Sequence, residues 1–434
     1  MSSSAESTGS LSILIIGAGL CGLGSAISLS LAGHAVTVLE AVPELREVGA
    51  GLQITPNGTR LLRAWGLTDK LRSAASPPAT FAMYRFDGTA LARRAAYGDE
   101  LERRHGSPLW CLHRADLQQA LAARAIELGV SLRLGTSVAR VEAGKGAIEL
   151  HSGERLQADL VIAADGLWSA ARAALFCQPG ETVTQPLPTG DLAYRILVDI
   201  DNEIAREPEL AAWLANPGIN IWVGPSSHAV AYSIRGGRYI NLVLLVPDNL
   251  PSHVAKAEGN LEEMRALFRG WDPVLIRLLQ LTDKVEKWRL HYLPPLPRWT
   301  TPGAHFVAAG DCAHPMLPYM AQGANSSLED AATLGALLSK VRRADQLSPA
   351  LAMYDAIRRP RVDQLVRETF LQGEEHHLAD GEEQKRRDEH LAKSMMDEYG
   401  PESETPWTHP KIQPWIYGYD AYAVAEAAFA ASPF

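Results

Sequence analysis

The chain has 434 residues, 47% of them hydrophobic and 21% charged, with a formal net charge of −9. That length and balance are those of an ordinary globular protein with two or three folding regions and ample core, and the acidic excess excludes a general nucleic-acid binder, whose phosphate contacts need a basic face. The four cysteines, Cys21, Cys111, Cys177 and Cys312, follow no CxxC or metal-ligand spacing, so reduced thiols in a cytoplasmic compartment are expected and a metal site is not.

Residues 1–10 read as a disordered tail. The apolar run Leu11–Ile16 is then a buried strand, and Gly17-Ala18-Gly19-Leu20-Cys21-Gly22 is a G-x-G-x-x-G turn. A small-residue helix, Leu23–Leu31, is closed by Gly33, and Ala35–Leu39 is a second strand ending in Glu40. Gly17 allows the tight turn, Gly19 lets a pyrophosphate approach the backbone, and Gly22 lets helix and strand pack closely. The helix N-terminus adds free N–H groups and a partial positive charge. Glu40 falls 18 residues after Gly22, where a carboxylate accepts hydrogen bonds from an adenosine ribose. The uncharged run Leu11–Gly33 is long enough to raise a membrane span or a signal peptide. Its five glycines and four serines, and a preceding segment with an acid and no base, argue against both, so no membrane partner is expected.

Glu44–Leu52 reads as a glycine-bearing loop. Its Arg46 is the cation nearest the expected dinucleotide, and Ala50 and Gly51 are further expected contacts. Pro56-Asn57-Gly58 opens a helix over Thr59–Trp65 that ends at Gly66. Residues 78–104 change character: Ala79–Phe86 alternates, Asp87-Gly88 is a hairpin turn, and the following strand leads to a charged loop, Asp99–His105. This excursion belongs to the sheet of a second domain.

An amphipathic helix follows, with Leu117, Leu121, Ala125 and Leu128 on its buried face and Gly129 at its end. Arg114, at its start, points where an anion would sit. Short strands at Ser131–Leu134 and Ala147–His151 flank a Gly144-Lys145-Gly146 turn. The buried strand of Ala158–Ala164 runs straight into Asp165-Gly166, which puts a carboxylate beside the crevice where open α/β sheets bind ligands. Arg172 lies on the helix that follows.

Residues 181–290 read as the second domain, a mixed sheet with strands at Leu192–Ile200, Ile219–Val223, Ala229–Ile234 and Tyr239–Val246. Tyr194 and Arg195 interrupt an apolar strand, while His228 and Tyr232, four apart, share one face of another. These are the expected substrate-facing groups. A third nucleotide-domain segment then ends a strand in Gly310-Asp311, passes the loop His314-Pro315, and reaches Gly323 before a long helix. Ser326-x-x-Glu329 reads as a capping box that starts this helix just after Gly323-Ala324 and aims its positive end over the loop. Residues 326–372 are helical, and Glu374–Glu398 is a charged, solvated helix. The tail, with Trp407, Trp415, Tyr417, Tyr419 and Tyr422, is aromatic enough to dock on the protein or on a second subunit, as in a homodimer.

Three separated motifs now stand in order: Gly17–Gly22 with Glu40, Asp165-Gly166, and Gly310-Asp311 with His314-Pro315. Together they resemble the single-component FAD-dependent aromatic hydroxylases of the p-hydroxybenzoate hydroxylase fold, over about residues 11–375. The segments ELREVGAGLQITPN, HRADLQQAL and GDCAHPMLPYMAQGANSSLEDA are similar to the branch with salicylate hydroxylase and 3-hydroxybenzoate 6-hydroxylase, and the tail PWIYGYDAYAVAE is too. Fungal phenol-dearomatising monooxygenases also resemble it. The implied fold is α/β, with a Rossmann-like FAD-binding domain (11–77, 105–180 and 291–375) interleaved with a mixed-sheet substrate domain (78–104 and 181–290). C-terminal helices over 376–434 complete the chain.

The resemblance implies non-covalent FAD, with NAD(P)H as co-substrate. It places Glu40 on the adenosine ribose, Arg114 by the pyrophosphate, Asp311 on ribityl or ribose hydroxyls, and Asp165 with FAD and NAD(P)H. Gly323, Ala324 and Asn325 would lie beside the isoalloxazine, whose reduced form carries negative charge that a helix N-terminus stabilises; Pro315 belongs to the same loop. His228, Tyr232 and Gln322 match substrate-facing positions in hydroxybenzoate hydroxylases, and Arg195 matches a phenolate-binding arginine in the dearomatising enzymes. The implied reaction hydroxylates a small aromatic substrate with O2 through a C4a-hydroperoxyflavin. His228 and Tyr232 would ionise the phenol while Arg195 holds the phenolate. A single G-x-G-x-x-G argues against Baeyer–Villiger and disulfide-reductase relatives, and the absence of W-x-W-x-I-P argues against a halogenase. An NAD-dependent dehydrogenase would leave Gly310-Asp311 without a purpose, and a non-catalytic flavin-binding module is the remaining rival.

Overall fold

A computed structural model describes residues 9–45, 50–176, 178–200, 207–396 and 412–434. Five short strands rich in Val, Ile, Leu and Ala form an all-parallel sheet in the order Phe306–Ala308, Leu160–Ala163, Ser12–Ile16, Ala35–Leu39, Ser131–Arg133. Their continuous apolar character follows from burial on both faces. The helix Leu20–Leu31 packs on one face, beneath the helix Gly323–Leu338. At the first strand–helix junction Gly17 has φ +102°, and a Cβ added to Gly22 would sit 2.0 Å from the Gly17 carbonyl oxygen. Only glycine closes that turn.

The second sheet has eight strands, in the order Lys256–Glu258, Glu286–Tyr292, Leu187–Asp199, Tyr239–Pro247, Ser227–Ile234, Gly218–Gly224, Thr80–Arg85, Ala90–Ala95. It is antiparallel except where Gly218–Gly224 runs parallel to Thr80–Arg85. The strict alternation along its central strands divides the side chains. Leu192, Tyr194 and Ile196 join Trp222 and Leu244 in a core closed by the helices Pro208–Leu214, Leu261–Leu267 and Pro273–Gln280. Ala193 and Arg195 face the other way, towards the cleft between the two sheets. Tyr194, grouped with Arg195 in the sequence, therefore points away from it.

Several local expectations change. Asp99–His105 is not a loop: Tyr97–His105 is a helix, with Asp99 and Glu100 in its first turn, Arg103, Arg104 and His105 in its last, and a left-handed Gly106 at its end. The charges complement the helix dipole, and buried Tyr97 and Leu101 anchor it. Glu44–Leu52 is only partly a loop, because Gly51–Ile54 is a strand paired antiparallel with Trp110–His113. The Ser326–Glu329 capping box is absent: the long helix begins at Gly323, and Ser326 N–H already donates to the Gln322 carbonyl at 2.7 Å. Both side chains are taken by arginines instead.

After Leu347–His376, a helix that carries Pro360 within it, the charged segment folds as Glu382–Met396. It is not simply solvated: Arg85 pairs with Asp380 and Asp388 at 2.7 and 3.0 Å, and Leu391 is buried. The aromatic tail docks on its own chain. The Tyr422 hydroxyl lies 2.8 Å from both Ser28 Oγ and Trp65 Nε1, and the Arg361 guanidinium lies over the rings of Trp415 and Tyr419. Trp407 lies outside the described residues. No helix among them is long and apolar enough to cross a membrane.

Candidate functional site

The site is a cleft of about 330 Å³ between the parallel sheet and the eight-stranded sheet. At its nucleotide end the Leu20–Leu31 helix begins at Gly19, whose extended backbone leaves the first N–H groups facing out. A Cβ added at Gly19 would meet nothing within 4 Å, so the space over the turn is open for a pyrophosphate. Glu40 sits at the end of its strand and braces this turn. Its carboxylate accepts from Ala18 N–H at 2.7 Å and Val42 N–H at 3.0 Å. Arg46 lies outside the described residues.

Strand pairing explains how Ala50 and Gly51 reach the cleft beside Arg114. Gly51 pairs with His113, and the Arg114 N–H donates to the Ala50 carbonyl at 2.9 Å. Arg114 is exposed at the cleft wall, opposite Asp311. Burial pushes the Asp311 carboxyl up, with Arg114 opposing. Asp165 does not line the cleft. It accepts from Ser169 Oγ at 2.5 Å and Ala171 N–H at 3.1 Å, which shapes the Asp-Gly turn and leaves Gly166 at the cleft surface. Arg172, given no role by sequence reasoning, joins the two motifs. Its buried guanidinium donates to the Cys312 and Leu167 carbonyls, each at 2.7 Å.

Gly323 and Ala324, at the N-terminus of the long helix, line the other end. Three residues expected beside them do not. Pro315 is buried behind the loop. Asn325 is fully buried: its side chain accepts from Thr55 N–H at 3.0 Å and donates to the Gln53 and Ala321 carbonyls at 3.1 and 2.6 Å. Gln322, expected to face substrate, turns inward, donating to Thr55 Oγ1 and accepting from Asn57 Nδ2, both at 3.1 Å. Both amides fasten the helix start to the Gly51–Ile54 strand and the Pro56–Ala64 helix. Behind them lies a buried charge cluster. Glu329 pairs with Arg358 and Arg361 at 2.7 and 2.8 Å, and Asp330 with Arg358 and His314 at 2.8 and 2.5 Å. Asp330 also accepts from the Gly310 N–H at 2.8 Å, which ties the Gly-Asp turn to the helix. Burial alone would raise the Asp330 carboxyl, but His314 and Arg358 hold it down to about 2.

The substrate half is apolar, with Ile219, Ile221, Val230 and Val243 on the sheet and Met316 and Leu317 opposite. Three polar side chains stand on that sheet face: Arg195, His228 and Tyr232. The Arg195 guanidinium lies 4.4 Å from the Trp288 ring centroid and makes no hydrogen bond or ion pair with the described residues. Tyr232 is buried by the close approach of Gly51, whose added Cβ would sit 2.8 Å from the tyrosine ring. Burial raises its phenol well above the usual tyrosine range. The His228 Nδ1 lies 2.8 Å from Nε2 of His377, while its Nε2 is buried without a partner. Burial, with His376 and His377 close by, pushes its imidazole well below the usual histidine range.

His376, His377 and Tyr319 were missed by sequence reasoning, and the His-His pair at the end of a helical run is the one signal that could have drawn notice. His376 lines the cleft, with its ring 4.7 Å from that of His228, and burial pushes it down to about 3.

Comparison with known proteins agrees with this geometry. The family described as "FAD binding domain" matches residues 10–231 and 301–369. The FAD-dependent monooxygenase OpS4 of Beauveria bassiana (strain ARSEF 2860) is 50% identical over 97% of each chain. The 3-amino-4-hydroxybenzoate 2-monooxygenase of Streptomyces cremeus is 32% identical, covering 94% of this chain and 95% of its own. Among solved structures, a salicylate hydroxylase substrate complex superposes with a TM-score of 0.79 at 26% identity, over 97% of this chain and 98% of its own. The cofactor is thus FAD, which sets aside an NAD-dependent dehydrogenase. The chain belongs to the FAD-binding-domain family and, within it, to the FAD-dependent monooxygenases.

Proposed function

We propose that the protein hydroxylates a phenolic substrate, salicylate-like or hydroxybenzoate-like, using NAD(P)H and O2. The observation that carries this reading is the placement of Arg195, His228 and Tyr232 on one face of an otherwise apolar cleft, across from the N-terminus of the Gly323–Leu338 helix. FAD, when bound, supplies the transfer of electrons from NAD(P)H to O2 and the electrophilic oxygen. The chain's own groups do the rest. The Gly17–Gly22 turn, Glu40 and Arg114 would hold the adenosine and pyrophosphate, Asp311 the hydroxyls of the linking chain, and Gly323 and Ala324 the ring.

An electrophilic oxygen needs an electron-rich ring, so ionising the phenol speeds the reaction. His228 is neutral, and its Nε2 is available to accept the phenolic proton. Arg195, stacked on Trp288 and without a hydrogen-bond or ion-pair partner among the described residues, is placed to hold the resulting phenolate or a ring carboxylate. Apolar walls keep water from the reacting centre. Similarity to a relative named for acting on an aminohydroxybenzoate supports an acidic phenol as the substrate class. Hydroxylative dearomatisation of a fungal secondary metabolite is the second reading, supported by Arg195, which has no ion-pair partner among the described residues and would hold the phenolate in that chemistry. A panel of phenols, scored for stimulated NAD(P)H oxidation and product mass, tests the proposal. Gain of one oxygen with the ring retained supports hydroxylation, loss of the carboxyl group indicates decarboxylation, and a dienone indicates dearomatisation. NAD(P)H oxidation unaffected by any phenol points to a simple oxidase or to the non-catalytic flavin-binding module.

A further inference from the structure

His228 stands at the inner end of a line of groups that leads out of the cleft. Its Nδ1 is 2.8 Å from Nε2 of His377, and Nδ1 of His377 is 3.9 Å from Oδ2 of Asp191. That same oxygen accepts from the Tyr319 hydroxyl at 2.8 Å, which holds the carboxylate in place. Exposure rises along the line: His228 is 1% exposed, whereas the His377 and Asp191 side chains are 14% and 27% exposed. At the inner end, the His228 Nε2 is buried and has no hydrogen-bond partner among the described residues.

A proton taken from substrate has nowhere to rest in this cleft. An imidazolium at His228 would be a buried charge with His376 and His377 packed against it and no carboxylate touching it. Tyr319 faces it from the loop side, with ring centroids 5.4 Å apart, and Arg195 and Tyr232 share its sheet face. Arg387 stands behind His376. The Asp191 carboxylate lies beyond His377. We infer that His228, His377 and Asp191 form a proton outlet that carries the phenolic proton from the cleft to solvent. This rests on the reading of His228 as the group that accepts that proton.

The transfer balances with both imidazoles neutral throughout. The substrate O–H bond breaks as an N–H bond forms at His228 Nε2. The Nδ1–H bond of His228 breaks as an N–H bond forms at His377 Nε2. The Nδ1–H bond of His377 then breaks as an O–H bond forms on water at this more exposed end of the line, beside the Asp191 carboxylate, because 3.9 Å is too long for direct transfer. Return of a proton by the same route, when product is released as the neutral phenol, restores both starting tautomers. The resting state must therefore carry the His228 proton on Nδ1, which agrees with the partnered Nδ1 and the partnerless Nε2. His376 has no hydrogen-bond partner at either nitrogen among the described residues, so no hydrogen-bonded line leads through it.

Nitrogen-15 NMR of histidine-labelled holoenzyme tests this without turnover. The expected result is a neutral His228 protonated at Nδ1, with a hydrogen-bonded proton signal that disappears in His377→Leu while FAD stays bound. A resting His228 protonated at Nε2 overturns the outlet. Stopped-flow mixing with 4-nitrophenol, whose phenolate absorbs in the visible, supplies the second readout. Bound phenolate should appear roughly a hundredfold more slowly in His377→Leu and Asp191→Asn, the low side of what a positioned proton-transfer group contributes, and added imidazole should restore the rate in His377→Leu. If His228→Ala abolishes the phenolate band but the other two variants form it at the wild-type rate, the base stands and the outlet falls. If wild type and His228→Ala behave alike, the reading of His228 as base falls, and the outlet with it.

Discussion

The proposed base, His228, would act only while neutral, and its surroundings favour that form. Burial and the two neighbouring imidazoles depress its proton affinity, so the unprotonated form persists as pH falls through the ordinary histidine range. The acid limb of kcat/KM, measured with a phenol that ionises well above neutrality, is therefore expected well below pH ~6.5, the usual histidine value. An acid limb at or above that value, abolished by His228→Gln, would show a solvated histidine instead. Why these three polar groups were legible in sequence is simple. A strand has period two, so His228 and Tyr232 had to share a face, and Arg195 was conspicuous in an apolar strand. Period alone does not say which face meets the cleft, and Tyr194 went to the other one. Nor does it reach Gln322, whose orientation is set by Asn57 and Thr55, more than 260 residues away in sequence. His376 and His377 were invisible for the same reason: their partner, His228, is on a distant strand.

The Gly323–Leu338 helix is the element on which the ring end of the site depends, and it is held from behind by charge. Glu329 and Asp330 follow one another on the helix, are both fully buried, and together engage Arg358, Arg361 and His314. Removing one member strands a buried charge. Arg358→Met is expected to lower stability by about 3–5 kcal/mol, read as a shift of the denaturant midpoint, with FAD released earlier in the unfolding curve. A loss under ~1 kcal/mol would mean that the cluster is solvated and does not brace the helix. The same cluster explains the misread helix start. Ser-x-x-Glu has the spacing of a capping box, but Ser326 Oγ and Glu329 both meet arginines of the Leu347–His376 helix. The converse error at Asp99–His105 arose because a short charged segment looks like a loop until Tyr97 and Leu101 find a core.

At the scale of the whole molecule the order of motifs carried the most information. Gly17–Gly22, Asp165-Gly166 and Gly310-Asp311 all come to one end of the parallel sheet because each terminates a strand of it, and parallel strands deliver their C-terminal ends to the same edge. Arg172 then joins the second motif to the third. The docked tail was legible from its aromatic density but not its target, since Tyr422 closes on Ser28 and Trp65 from the far end of the chain. What this assembly encloses is a largely apolar cleft, with Arg195, His228 and Tyr232 on one wall and the N-terminus of the Gly323–Leu338 helix on the other. Turnover of a stimulating phenol under oxygen-18-labelled dioxygen in ordinary water, with NAD(P)H in limiting amount, tests the proposed hydroxylation. One labelled oxygen on the product per NAD(P)H consumed is expected. Label absent from the product, or NAD(P)H consumed only to hydrogen peroxide with every phenol, would contradict it.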